Sequence, residues 1–91
     1  MYKITTTNKY DKDLKRIIFQ PKLIEEIDTV VSLLSTNDKP LPKRYSDHAL
    51  KGKYAAYREC HIQPDWLLIY KKNKTDLILM LVRTGTHSQL F

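Results

Sequence analysis

Trp66-Leu67-Leu68-Ile69-Tyr70-Lys71-Lys72-Asn73-Lys74-Thr75-Asp76-Leu77-Ile78-Leu79-Met80-Leu81-Val82 is the stretch that decides the fold of this chain. Two apolar runs of strand length, Trp66–Tyr70 and Leu77–Val82, flank a polar Lys72-Asn73-Lys74-Thr75 segment. Neither run alternates with polar residues, as expected of strands that are central or covered on both faces. The polar segment predicts a hairpin turn. Upstream, Tyr54–Glu59 predicts another strand, and the β-branched, alternating Tyr2–Thr6 predicts a short one at the N-terminus.

Between these strand signals lie two helical ones. Asn8 is a plausible N-cap, and Tyr10, Leu14, Ile17 and Ile18 follow it at helical spacing. Lys9, Lys12, Lys15 and Arg16 fall largely on the opposite side, as a solvated face would. Pro21 suits the first turn of a second helix, whose positive N-terminal end Glu25 and Glu26 favour. Leu23, Ile24, Ile27, Val30, Val31 and Leu34 form its apolar stripe. Asn37-Asp38-Lys39-Pro40 ends it. The expected class is α+β in the order β-α-α-β-β-β, a helical hairpin packed on a small antiparallel sheet in a single domain spanning residues 1–91.

Composition narrows the function classes. Sixteen basic and ten acidic residues give a net charge of +6, which favours a polyanionic partner. Each half of the chain carries +3, so the charge is not confined to an arm. Cys60 is alone, which excludes an internal disulfide and suits a reducing cytoplasm. The N-terminus lacks the apolar segment of a signal peptide, and Leu77–Val82 is too short to cross a bilayer. A soluble, cytoplasmic protein with no membrane partner is expected.

The candidate site follows from hairpin geometry. Folding Trp66–Tyr70 onto Leu77–Val82 about a centre near Lys74 sets Asp65 opposite Arg83. Folding the preceding strand about Ile62 brings Arg58 beside Trp66. Arg58, His61, Asp65, Trp66 and Arg83 then gather at one end of the sheet, with His87 four residues beyond. A register slip of one would flip individual side chains but keep the gathering. His48 is not placed by this construction.

Histidine exchanges protons near neutrality, and arginine stabilises developing negative charge. This is what RNA cleavage requires: a base for the 2′-hydroxyl, an acid for the departing 5′-oxygen, and a cation between them. No cofactor or metal is called for. Trp66 or Phe91 would offer a base-stacking surface, and Lys51 and Lys53 would hold phosphate. Each has a structural alternative: His48 bonded to Asp47 in a loop, Asp65–Arg83 as a weak edge ion pair, Trp66 as core. A zinc site is disfavoured, because a strand points neighbouring Cys60 and His61 to opposite faces. A Ser88–His87–Asp65 hydrolase triad lacks a nucleophile elbow.

Asp47-His48-Ala49-Leu50-Lys51-Gly52, Tyr57-Arg58-Glu59-Cys60-His61, Pro64-Asp65-Trp66 and Arg83-Thr84-Gly85-Thr86-His87-Ser88-Gln89-Leu90-Phe91 together resemble the YafQ branch of the RelE/ParE toxin superfamily. The likeness covers residues 47–91; the first half agrees only in its helical-hairpin pattern. The resemblance implies a type II toxin that enters the A site of the 70S ribosome and cuts messenger RNA there. It also implies an antitoxin, usually of ribbon-helix-helix type, which inhibits the toxin and carries the complex to operator DNA. By the same resemblance, His48, His61, Asp65 and His87 form the active site, with Trp66, Arg83 and Phe91 close by. The sequence departs from RelE proper, where lysine, arginine and tyrosine carry more of the chemistry.

On this reading His87 is the general acid, Asp65 or His61 the base, and Arg83 the phosphate ligand. His48 orients the substrate or shares in proton transfer. Two other classes compete. A ParE-like gyrase inhibitor would act by binding alone and need no proton-transfer groups. A small basic nucleic-acid-binding module would explain the charge but not the gathering of polar residues.

Overall fold

Two predicted helices form where the apolar spacing puts them, with their ends adjusted by local hydrogen bonding. The computed structural model describes all 91 residues. After strand β1 (Lys3–Thr6) comes helix α1 (Asn8–Lys15), capped by Thr7 rather than Asn8. The Thr7 hydroxyl accepts from Tyr10 N at 3.0 Å and donates to the Val82 carbonyl at 2.7 Å, fixing the helix to the sheet. Helix α1 stops before Ile18, which is therefore exposed beside Phe19 instead of joining the stripe. Helix α2 (Pro21–Thr36) starts on Pro21 and buries Leu23, Ile27, Val30, Val31 and Leu34.

Strands β2 (His48–Ala49), β3 (Arg58–Gln63), β4 (Trp66–Asn73) and β5 (Ile78–Gly85) complete a five-stranded sheet, and helix α3 (His87–Leu90) ends the chain. The spatial order is β1-β5-β4-β3-β2. All neighbours are antiparallel except β1, which pairs parallel with β5, Lys3 opposite Ile78. The α+β class is as expected; β2, α3 and the parallel edge are additions to it. The strand expected over Tyr54–Glu59 begins only at Arg58, because Gly52–Tyr54 forms a 3-10 turn.

Strand β4 is covered on both sides, which accounts for its unbroken apolar run. Leu68 and Tyr70 face the helices, in a cluster with Leu23, Ile27 and Val30. Leu67 and Ile69 point the other way and are capped by Leu90 of α3. All four strand residues are no more than 1% exposed.

The registers differ from those predicted. Strands β4 and β5 are joined by Lys74–Leu77, not by a turn centred near Lys74. The Asn73 side chain accepts from Thr75 N and Asp76 N, at 3.0 and 2.9 Å, and Leu77 takes a left-handed φ of 54°. A bulge between Ile69 and Tyr70 adds a further shift. Arg83 therefore lies opposite Ile69, not Asp65. The β3–β4 turn is Pro64-Asp65, which pairs Arg58 with Tyr70 rather than Trp66.

Candidate active site

Strand alternation turns Cys60 and Ile62 toward the helices, so Glu59 and His61 project from the opposite, open face. Strand β2 sets His48 directly across from Glu59. The Pro64-Asp65 turn holds Asp65 at the sheet end. From β5 the chain folds back through Gly85, where a Cβ would meet Gln89 Oε1 at 2.8 Å and Leu90 Cδ2 at 3.2 Å. Thr86 then starts α3 with a capping box: its hydroxyl accepts from Gln89 N, and the Gln89 side chain accepts from Thr86 N. Leu90 anchors this turn on Leu67 and Ile69. His87 is thereby held over the open face.

The three histidines form a row. Ring centroids of His48 and His61 are 6.3 Å apart, and those of His61 and His87 are 5.7 Å apart, edge to face. At one end Asp65 Oδ1 accepts from His87 Nδ1 at 2.8 Å and from His87 N at 3.1 Å. These bonds, the side-chain one foremost, hold the Asp65 carboxyl below its ordinary range. An ionised carboxylate only accepts, so Nδ1 carries the hydrogen and Nε2 of His87 is the nitrogen left for chemistry.

At the other end both His48 nitrogens are engaged. Nδ1 lies 2.7 Å from the Ser46 carbonyl, and Nε2 lies 2.9 Å from Glu59 Oε2. Neither His48 nitrogen is therefore left open, in contrast to Nε2 of His87. Glu59 is buried, and its Oε1 has no hydrogen-bond partner. His61, between the two, has no ion pair of its own.

The remaining predicted residues divide. Phe91 is exposed just past His87 and meets the Tyr54 ring at 5.7 Å, edge to face. Lys53 sits over Tyr54 at 5.2 Å, and Lys51 is exposed two residues earlier. Arg83 lies where β5 has run past β1, and Asp13 of α1 grips it bidentately at 2.8 and 3.1 Å. That hydrogen bonding raises the guanidinium pKa further.

Arg58 and Trp66 do not join the histidines. Arg58 turns to the helix side, where Asp47 accepts from its Nε at 3.3 Å and from the Tyr70 hydroxyl at 2.6 Å. Trp66 packs against the helix-side core and donates to Thr84 Oγ1 at 2.9 Å. The expected gathering holds for His61, Asp65 and His87 and fails for these two. His48 meets Glu59, not Asp47.

Sequence reasoning missed Glu59, Asp13 and Tyr54. Only Glu59 left a local trace, as the one carboxylate of the β3 sequence Arg58-Glu59-Cys60-His61-Ile62-Gln63. Cys60 is wholly buried on the helix side, its thiol pushed up to about 12 by burial. No three His, Cys, Asp or Glu side chains converge in a way that could hold a metal ion. The arrangement offers proton transfer at His87 Nε2 and at His61, beside cations and aromatic rings.

Residues 2–91 match the family described as the bacterial toxin of the type II toxin–antitoxin system, YafQ. The mRNA interferase toxin YafQ of Escherichia coli K12 is 42% identical over 88 residues, covering 97% of this chain and 94% of that protein. Among solved structures, the E. coli DinJ–YafQ complex contains a chain of 37% identity with a TM-score of 0.87, covering 100% of this chain and 99% of that one. A metal-bound toxin from Helicobacter pylori is 44% identical with a TM-score of 0.89, and each chain is covered completely.

Proposed function

This chain belongs to the YafQ family of type II toxin–antitoxin toxins, and we propose that it is a ribosome-dependent endoribonuclease that cuts messenger RNA in the A site. The observation that carries the reading is the His87–Asp65 pair at the end of a histidine row. It leaves one imidazole nitrogen open, on a small basic protein, with no hydroxyl or thiol hydrogen-bonded to that ring.

In the proposed reaction the 2′-oxygen attacks the adjacent phosphorus, and the bond to the 5′-oxygen breaks. His61 takes the 2′-hydroxyl proton and His87 Nε2 protonates the departing oxygen. For that transfer His87 enters as the imidazolium, gives up its Nε2 proton and is left as the neutral Nδ1–H tautomer, and Asp65, accepting from Nδ1 throughout, orients the ring. The lowered pKa of Asp65 and its engagement with His87 make it the poorer of the two candidate bases. His48, with both nitrogens held, orients the substrate, and Arg83 supplies the cation near the scissile phosphate. No metal takes part in these transfers; the residues that perform them are proton carriers.

By analogy with the DinJ–YafQ complex, the partner is an antitoxin; the family resemblance of the sequence is our ground for giving it the ribbon-helix-helix type and for routing operator DNA only through it. Gyrase inhibition of the ParE kind gives no account of the histidine row, and a simple nucleic-acid-binding module gives none of the His87–Asp65 bond.

A message with 2′-deoxyribose just 5′ of the cut, loaded on ribosomes, tests the chemistry. Resistance of that message, beside cleavage of its all-ribose counterpart, is expected. Cleavage of the deoxy message would refute 2′-hydroxyl attack.

A further inference from the structure

We propose that Tyr54, with Phe91, forms the subsite in which a nucleobase flanking the cut is stacked. The inference rests on the nuclease reading above and names a contact that reading leaves open.

Trp66, the larger of the expected platforms, is turned to the helix side and hydrogen-bonded to Thr84. The open face nonetheless carries an aromatic group. Tyr54 meets Phe91 at 5.7 Å with ring planes 88° apart, and Tyr57 lies 6.3 Å from Tyr54 on its other flank. Tyr57 and Leu90 both pack with Leu67 and Ile69, which places the group on the histidine-bearing side of the sheet.

Two rings at a right angle make a corner. A base lying flat on one ring presents its edge to the other, which satisfies both aromatic geometries at once. Phe91 is 59% exposed, a large apolar surface left in water.

Charge surrounds the corner. Lys53 Nζ stands 5.2 Å from the Tyr54 ring, and Arg83 lies near enough to Tyr54 for the two groups to interact. Asp13 occupies only Nε and one terminal nitrogen of Arg83, leaving donors for phosphate oxygen. An aromatic face between two cations is the arrangement by which single-stranded nucleic acid is held without reading its sequence. His87 is four residues from Phe91, at the other end of the α3 turn, so a base in the corner sets its own phosphate near the row.

The test uses the full chain and ribosomes programmed with a message that carries 2-aminopurine in the A-site codon and 2′-deoxyribose at the cut. Fluorescence quenching is read at equal ribosome occupancy, and cleavage kinetics on the matching all-ribose message. Tyr54→Ala and Tyr54→Leu should lose most of the quench and raise KM roughly 10–100-fold, the scale of one stacked base, with kcat moving far less. Tyr54→Phe should restore most of both. Tyr54→Leu keeps the apolar bulk and decides the matter if the alanine variant is unstable. A folded Tyr54→Leu chain with parental quench and KM would overturn the proposal alone. A parent chain that neither cleaves nor quenches would overturn it together with the nuclease reading.

Discussion

Between helix α1 and the sheet, Asp13 grips Arg83 at 2.8 and 3.1 Å, and on the open face Asp65 grips His87 at 2.8 Å. The distances are nearly the same and the surroundings are opposite. Asp13 is buried; it also accepts from Thr84 N at 3.1 Å, and Thr84 in turn bonds Trp66 and Leu67. Asp65 and His87 are both more than half exposed, and His87 keeps a ring nitrogen free. A buried carboxylate with all its bonds made ties elements of the fold together. An exposed one with a single partner adds little stability and is free to set a tautomer.

His87→Ala should give the largest effect and bears directly on that contrast. Cleavage of ribosome-bound message should fall by about 10²–10⁴-fold, the range for one acid–base group. Melting should stay close to the parent, because the side chain is exposed. A variant that cleaves at the parental rate would remove His87 from the mechanism; one that unfolds would erase the contrast itself.

Asp13→Ala should do the reverse, losing about 3 kcal/mol of stability. The figure sits at the low end for a broken buried pair, because the Arg83 side chain is 22% exposed. Chemical denaturation measures it. In an Asp13→Ala/Arg83→Ala double variant the loss should shrink, since much of the cost is the charge left without its partner.

Glu59 belongs to both regimes: it is buried like Asp13 yet bonded to a histidine of the row. Glu59→Gln retains the shape but replaces the carboxyl group that meets His48 Nε2 with an amide. We expect a loss of roughly tenfold in kcat, in line with one charge-assisted hydrogen bond. The same substitution in a His48→Ala background should cost almost nothing. Equal losses in both backgrounds would assign Glu59 a packing role instead.

How much of this could be read beforehand depended on how far each signal reaches along the chain. The α2 stripe and the two apolar runs are local, and they appear where the spacing puts them. The β4–β5 register shifted because the Asn73 side chain reorganises the turn and a bulge follows, features that apolar periodicity does not encode. The Thr86–Gln89 capping box was legible as a motif and would have predicted α3. The Asp13–Arg83 bond spans 70 residues, and no local pattern announces it. Of the histidine row, His61 and His87 followed from the order of the hairpins even with the register wrong. His48 depended on a two-residue strand too short to detect.

The smallest expected effect separates tautomer setting from stability at the exposed pair. Asp65 has its folded-state pKa lowered, chiefly by the hydrogen bond from His87. A depressed carboxylate stabilises the fold at pH values above its unfolded pKa of about 4, and that contribution disappears as pH falls through the lowered folded value. The melting difference between the parent and Asp65→Asn should therefore be small and constant at neutral pH and vanish at the acid end. Activity should behave differently. The amide introduced by Asp65→Asn can present its NH2 or its oxygen to Nδ1 and no longer enforces one tautomer, so cleavage at neutral pH should drop far more than melting does. A loss of stability as large as that from Asp13→Ala would mean that exposure does not divide the two pairs, and the distinction between a structural and a chemical carboxylate in this fold would have to be redrawn.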